Sequence, residues 1–111
     1  MLKTTDSKIL VVEDDPGMCR SMRFLLSSYG FDIQTSQNLP DAFNSLQTNA
    51  YGLILLDLNI EDQSGFAVMD HLAKSRLDTP VIIVTGERSE EKAITALKKG
   101  AVDYLKKPFE T

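Results

Sequence analysis

Three acids, a threonine and a lysine in this chain each stand at or just past the end of an apolar run. Together they could handle a cation and a phosphoryl group. Glu13 and Asp14 follow Ile9-Leu10-Val11-Val12, and Asp57 follows Leu53-Ile54-Leu55-Leu56. Thr85 follows Val81-Ile82-Ile83-Val84, and Lys107 comes just after Val102-Asp103-Tyr104-Leu105. Carboxylates brought together repel, and the repulsion either raises a pKa or calls for a cation. A hard divalent ion held by few protein oxygens plus water suits Mg2+, with Mn2+ as its substitute. Such an ion would neutralise an incoming phosphate and leave a carboxylate free to attack phosphorus. Thr85 could donate a hydrogen bond to a phosphoryl oxygen, and Lys107 could pair with its charge.

Each residue also has a plainer reading. Acids after a strand often cap the next helix, and for Asp15, beside Pro16, capping is the better assignment. Asp57 opens no helix and ends what should be a central strand, so capping does not account for it. A threonine at a strand end can simply obey β-propensity, and a lone lysine is usually solvated. The common placement of all five at strand ends is what gives the set its weight.

The elements that must position these residues alternate in hydrophobic period. Short Val, Ile and Leu runs bounded by turn residues read as strands buried on both faces. Asp15-Pro16 opens a first helix, with Met18, Met22, Leu25, Leu26 and Tyr29 at helical spacing and Gly30 as its stop. Phe31 to Thr35 alternates and reads as a half-buried edge strand. A second helix runs from Asn38 to Thr48, the third strand is Gly52 to Leu56, and a polar loop spans Leu58 to Gln63. Ser64 can cap a third helix; strand four is Val81 to Val84. Ser89, Glu90 and Glu91 open a fourth helix through Lys99, and Val102 to Leu105 is the fifth strand.

Crossovers of this length allow parallel pairing. With the most apolar strands in the centre, the order becomes 2-1-3-4-5, a flavodoxin-like doubly wound five-stranded parallel sheet with helices on both faces. Its winding reverses between strands one and three, which brings Asp14 and Asp57 to the crevice where such folds bind ligands. A fifth helix should pack beside the first, yet the chain stops at Thr111. An apolar strip is therefore expected on one face, covered within a longer protein or by a homodimer.

Size and charge narrow the function classes. A chain of 111 residues is one domain. A net charge of −4 without a basic face argues against nucleic-acid contact by this domain itself. There is no membrane-length apolar stretch, and Met1 to Ser7 lacks the core of a secretory signal. Cys19 is the single cysteine, so no internal disulfide can form, which fits the cytoplasm. Cys19 reads as helix packing and His71, the lone histidine, as a surface residue.

Val11-Val12-Glu13-Asp14-Asp15-Pro16, Leu55-Leu56-Asp57-Leu58-Asn59, Val84-Thr85-Gly86 and Tyr104-Leu105-Lys106-Lys107-Pro108-Phe109 resemble, in order and over nearly the whole chain, the receiver domain of bacterial two-component response regulators. The resemblance implies that residues 1–111 are a phosphoacceptor domain, part of a longer response regulator. Asp57 would accept a phosphoryl group from a phosphohistidine on a sensor histidine kinase or phosphotransfer protein. Glu13, Asp14, Asp57 and the backbone carbonyl of Asn59 would hold Mg2+, and Thr85 and Lys107 would bind the phosphoryl oxygens. Tyr104 would turn inward as Thr85 moves, changing the face of helix four and strand five that controls an output domain or downstream protein. From residue physics alone, Tyr104 is an edge-strand aromatic with its hydroxyl in water.

Two departures stand out. The family commonly has proline four residues after the phosphoacceptor, where this chain has Glu61, which leaves the Leu58–Gln63 loop less constrained. The fifth helix, part of the usual output face, is the other. The function expected is a switch whose only catalysis is self-phosphorylation and self-dephosphorylation. A phosphohydrolase working through an aspartyl phosphate would want a second acid near its nucleophile, where this chain has Asn59. A non-phosphorylated interaction module would be expected to have lost one of the acids or the lysine, and none is lost.

Overall fold

The computed structural model describes residues 7–86 and 90–107. Ser89 as a helix opener and the backbone at Pro108 lie outside the described residues. Five strands form the main sheet: β1 Lys8–Val12, β2 Asp32–Ser36, β3 Leu53–Leu56, β4 Val81–Thr85 and β5 Asp103–Lys106. All four pairings are parallel and the sheet order is β2-β1-β3-β4-β5, as the hydropathy ranking requires. Val12 lies opposite both Ser36 and Leu56, and Leu56 lies opposite Ile83. The three central strands therefore finish side by side.

Four helices cover this sheet among the described residues: α1 Pro16–Ser27, α2 Leu39–Thr48, α3 Phe66–Lys74 and α4 Glu90–Lys98. Their starts follow from local chemistry. Asp15 caps α1 by accepting from the Gly17 amide at 2.9 Å, and Asn38 caps α2 by accepting from Asp41 at 2.9 Å. At α3 the cap position belongs to Gly65, one residue after the serine expected there; Ser64 Oγ instead accepts from the Phe66 amide at 3.2 Å. Acidic Glu90 and Glu91 sit in the first turn of α4, where the helix dipole favours them.

Strand alternation divides the core in two. Leu10, Val12, Ile54, Leu56, Val81 and Ile83 face α2, α3 and α4, with Leu39, Leu46, Val68, Leu72 and Ala96 packed in from those helices. Ile9, Val11, Leu55 and Val84 face the other way, with Met22 and Leu26 of α1 over them. Among the described residues, this second face is the more thinly covered. An apolar groove of ≈ 420 Å³ opens there between Ile9, Met22, Leu26, Leu53, Ile82 and Leu105, which is the strip expected from the sequence. Leu25 and Tyr29, which share helical spacing with Met22 and Leu26, are exposed among the described residues. His71 also departs from expectation: it is half-buried, with its ring 5.0 Å from that of Phe43 between α2 and α3.

The Leu58–Gln63 segment is more ordered than a polar loop. Asn59–Ile60 and Gln63–Ser64 pair as a two-rung antiparallel hairpin, with Glu61 and Asp62 at its tip at φ +50° and +64°. Positive φ at both central residues is the signature of a tight type I′ turn.

Candidate functional site

The main chain fixes the floor of the site before any side chain acts. Glu13, Asp57 and Lys107 are each the first residue past a strand, and their amides continue the ladder to the neighbouring strand. Glu13 N–H donates to Ser36 O at 3.0 Å, Asp57 N–H to Val12 O at 3.0 Å, and Lys107 N–H to Thr85 O at 2.8 Å. The side chains of Glu13, Asp14, Asp57, Thr85 and Lys107, with Asn59, thus line one cavity of ≈ 380 Å³ that Asp15 and Gly86 complete. The expectation that four strand ends share one pocket is met.

Asp57 is the centre of this arrangement and is only 7% exposed. One carboxylate oxygen, Oδ1, accepts from Thr85 Oγ1 at 2.7 Å and from the Asn59 amide at 3.1 Å. The other, Oδ2, accepts from Lys107 Nζ at 2.9 Å, and the same ammonium is bonded to Glu13 Oε1. Glu13 Oε2 also accepts from the Asp15 amide at 3.2 Å, and Asp14 Oδ2 accepts from the Glu61 amide at 2.8 Å. Beneath the site, Cys19 is buried and its Sγ donates to Glu13 O at 3.2 Å. This is the packing role expected of it.

Burial and pairing pull the titration of these groups apart. Burial pushes the Asp57 carboxyl up, but the bonds from Thr85, Lys107 and the Asn59 amide outweigh it and hold Asp57 below the ordinary aspartate range. For Glu13 burial prevails over the Lys107 and Asp15 bonds, and its pKa is raised. Burial works against the Lys107 charge, yet the bonds to Glu13 and Asp57 keep its pKa above that of a free lysine. A carboxylate that stays ionised beside a cation is the state a nucleophile needs.

The site also fits a divalent cation. Glu13, Asp14 and Asp57 each offer a carboxylate oxygen, and these three atoms lie within 4.8 Å of one another. Hard oxygen donors at this spacing suit Mg2+ or a similar ion. The Lys107 ammonium, drawn between two of the three acids, shows how strongly the cluster recruits positive charge.

Comparison with known proteins agrees with this geometry. The model of the response regulator receiver domain matches residues 9–111. The chain belongs to that family. Among relatives, the receiver is 34% identical over 102 residues to the cell cycle response regulator CtrA of Brucella ovis, covering 92% of this chain and 44% of that protein. It thus spans about half the length of such curated relatives. A Francisella response regulator receiver domain is 32% identical, with a TM-score of 0.86, covering 93% of this chain and 85% of that one. A Burkholderia pseudomallei response regulator, whose structure holds a phosphorylated aspartic acid, calcium ion and citrate, is 25% identical at a TM-score of 0.86, covering 93% and 61%. No helix among the described residues of the receiver is long and apolar enough to cross a membrane.

Tyr104 does not line the pocket. On the edge strand β5, it is half-buried and packs against the larger core. The register pairs Ile83 with Tyr104 and Thr85 with Lys106, so Thr85 and Tyr104 project from the same face of neighbouring strands. Two further contributions were not read from the sequence: Gly65, and the main chain of Glu61. A Cβ on Gly65 would lie 2.1 Å from the Asp57 carbonyl oxygen, so only glycine lets the hairpin fold back onto the end of β3; a lone glycine between a polar loop and a helix was the available signal. Glu61 acts through its main chain, which no side-chain motif discloses.

Proposed function

We propose that this receiver is a phosphorylation-controlled switch, with Asp57 accepting a phosphoryl group from a phosphohistidine of a sensor histidine kinase or phosphotransfer protein. The observation that carries the reading is the clamp on Asp57: a buried, ionised carboxylate with Thr85 on one oxygen and Lys107 on the other. In the transfer, the P–N bond to the donor imidazole breaks as an Asp57 oxygen bonds phosphorus, and the imidazole keeps the electron pair. Glu13, Asp14, Asp57 and the Asn59 carbonyl would hold Mg2+. When bound, the ion offsets charge on the transferring phosphoryl group.

The chain's own residues do the rest. Lys107 exchanges carboxylate partners for phosphoryl oxygens, and Thr85 turns its hydroxyl from Asp57 Oδ1 to the new group. The space Thr85 leaves lies on the face that Tyr104 shares, so an inward turn of Tyr104 would alter the α4–β5 surface. That surface would pass the state to an output domain, a downstream protein or a second receiver in a homodimer. Residues 1–111 are then the receiver portion of a longer cytoplasmic response regulator, with no nucleic-acid contact of their own.

The test is incubation with a small phosphodonor such as acetyl phosphate and MgCl2, followed by intact mass. A gain of one phosphoryl group is expected, lost in Asp57→Asn and on omitting the metal. Labelling that survives Asp57→Asn would assign the acceptor elsewhere. Asn59 stands two residues past Asp57 and lines the same pocket, where it can tune the lifetime of the phosphorylated form.

A further inference from the structure

The hairpin beside the pocket is built at a conformational cost. Left-handed φ at two consecutive non-glycine residues, Glu61 and Asp62, is unfavourable for L side chains. Something must hold it there. One restraint is local: the Asn59–Ser64 and Ile60–Gln63 pairs and the Gly65 N–H to Leu58 O bond of 2.8 Å close the loop onto its own strand. The other reaches across the chain, because the Glu61 amide donates to Asp14 Oδ2 at 2.8 Å. The same loop also sends the Asn59 amide to Asp57 Oδ1 at 3.1 Å. A single hairpin therefore grips two of the three acids, one from each side.

We propose that Glu61 is a positioning residue for the metal ligand Asp14, acting through its main-chain N–H, and that the strained turn sets the spacing of Asp14 from Asp57. The inference rests on the metal site of the proposed function. It concerns a feature a proline at this position could not supply. Proline has no N–H to donate, and its ring holds φ near −65°, far from the +50° found here. The glutamate side chain is exposed, and the role assigned to it is nil. A hydrogen bond from an outer donor fixes the orientation of a ligating carboxylate, and losing such a partner typically weakens metal binding by about 10- to 100-fold.

The experiment is calorimetric titration of the metal-free chain with MgCl2, in wild type and three variants. Glu61→Pro removes both the donor and the left-handed backbone, and its Mg2+ dissociation constant should rise about tenfold or more. Glu61→Gly keeps the N–H and accepts positive φ without strain, so it should stay within about twofold of wild type. Glu61→Gln should do the same at high salt, where the lost charge is screened. Equal affinity in wild type and Glu61→Pro would overturn the proposal, as would equal weakening in Pro and Gly variants. Failure of the wild type to bind Mg2+ would overturn the metal reading itself, a distinguishable result. Should Glu61→Pro not fold, amide hydrogen exchange of the wild type decides. Protection of the Glu61 N–H should rise at least severalfold when Mg2+ is added, since coupling is reciprocal. Fast exchange at that amide with and without the ion would refute it.

Discussion

Replacing Lys107 by methionine removes the ammonium that bridges Glu13 and Asp57 while keeping a side chain of similar length. Its head makes two charge-assisted bonds, and it is 18% exposed against 4% and 8% for the two acid side chains. Breaking a buried pair by deleting one partner costs about 3–5 kcal/mol, because the remaining charge stays desolvated. The partial exposure of Lys107 favours the lower end, about 3 kcal/mol. For 111 residues, an unfolding entropy of about 2.1 cal/mol/K per residue gives about 4 °C of Tm per kcal/mol, hence a fall of about 12 °C. The assay is thermal unfolding by circular dichroism at pH 7 in EDTA. The pH dependence carries the reasoning further. The folded-state pKa of Lys107 is raised, so its contribution is complete below the unfolded value of about 10.4 and is lost as pH rises through the folded one. In Lys107→Met the acids can instead relieve their repulsion by taking a proton, and Glu13 is already pushed up by burial. The loss should therefore be greatest near pH 7 and shrink toward pH 5. MgCl2 should stabilise the variant more than wild type, since no ammonium competes for the acids. A fall under 4 °C at pH 7, or one unchanged at pH 5, would refute this account of the pocket.

Three other outcomes follow from the same contacts. Thr85→Val keeps the volume but deletes the 2.7 Å bond to Asp57, and should cost about 1–3 kcal/mol in urea unfolding. Gly65→Ala drives a Cβ toward the Asp57 carbonyl oxygen, so strand or hairpin must shift; a loss of about 1–3 kcal/mol is expected, with amide shifts concentrated at residues 57–65 by NMR. Asp57 has a lowered folded-state pKa, so its stabilising share is present above the unfolded value of about 3.9 and disappears as pH falls through the folded one. Asp57→Asn should accordingly show a flatter stability curve than wild type below about pH 4.

The sheet was legible in the sequence because its signal is repeated burial. Runs such as Ile9–Val12 and Leu53–Leu56 carry apolar residues on both faces, and ranking strands by polarity was enough to order them. Most of the chemical residues were legible for the same reason, since Glu13, Asp57 and Thr85 directly follow such runs. Local chemistry also sufficed where a cap acts within its own turn, as at Asp15 and Asn38. What escaped depends on distant partners. The turn at Glu61 and Asp62 is held by its own hairpin pairs and by the bond from the Glu61 amide to Asp14, 47 residues away, and glutamate has no preference for positive φ. Leu25 and Tyr29 have helical spacing but are exposed among the described residues, and spacing alone does not reveal whether a facing element exists.

The amide ladder under the pocket has a mechanical consequence. Glu13, Asp57 and Lys107 all stand on main chain that is already bonded to the next strand, so the base of the pocket is a stiff bench whose parts cannot separate cheaply. New charge placed on that bench has little freedom to displace the strands themselves. The work must be taken up by what rests above: hydroxyl and ammonium rotors, the strained hairpin, and helices held to the sheet by side chains only. A receiver made this way is a fixed anvil with a few hinged pieces on top, and under the proposed function those pieces are where a chemical event at Asp57 would become motion.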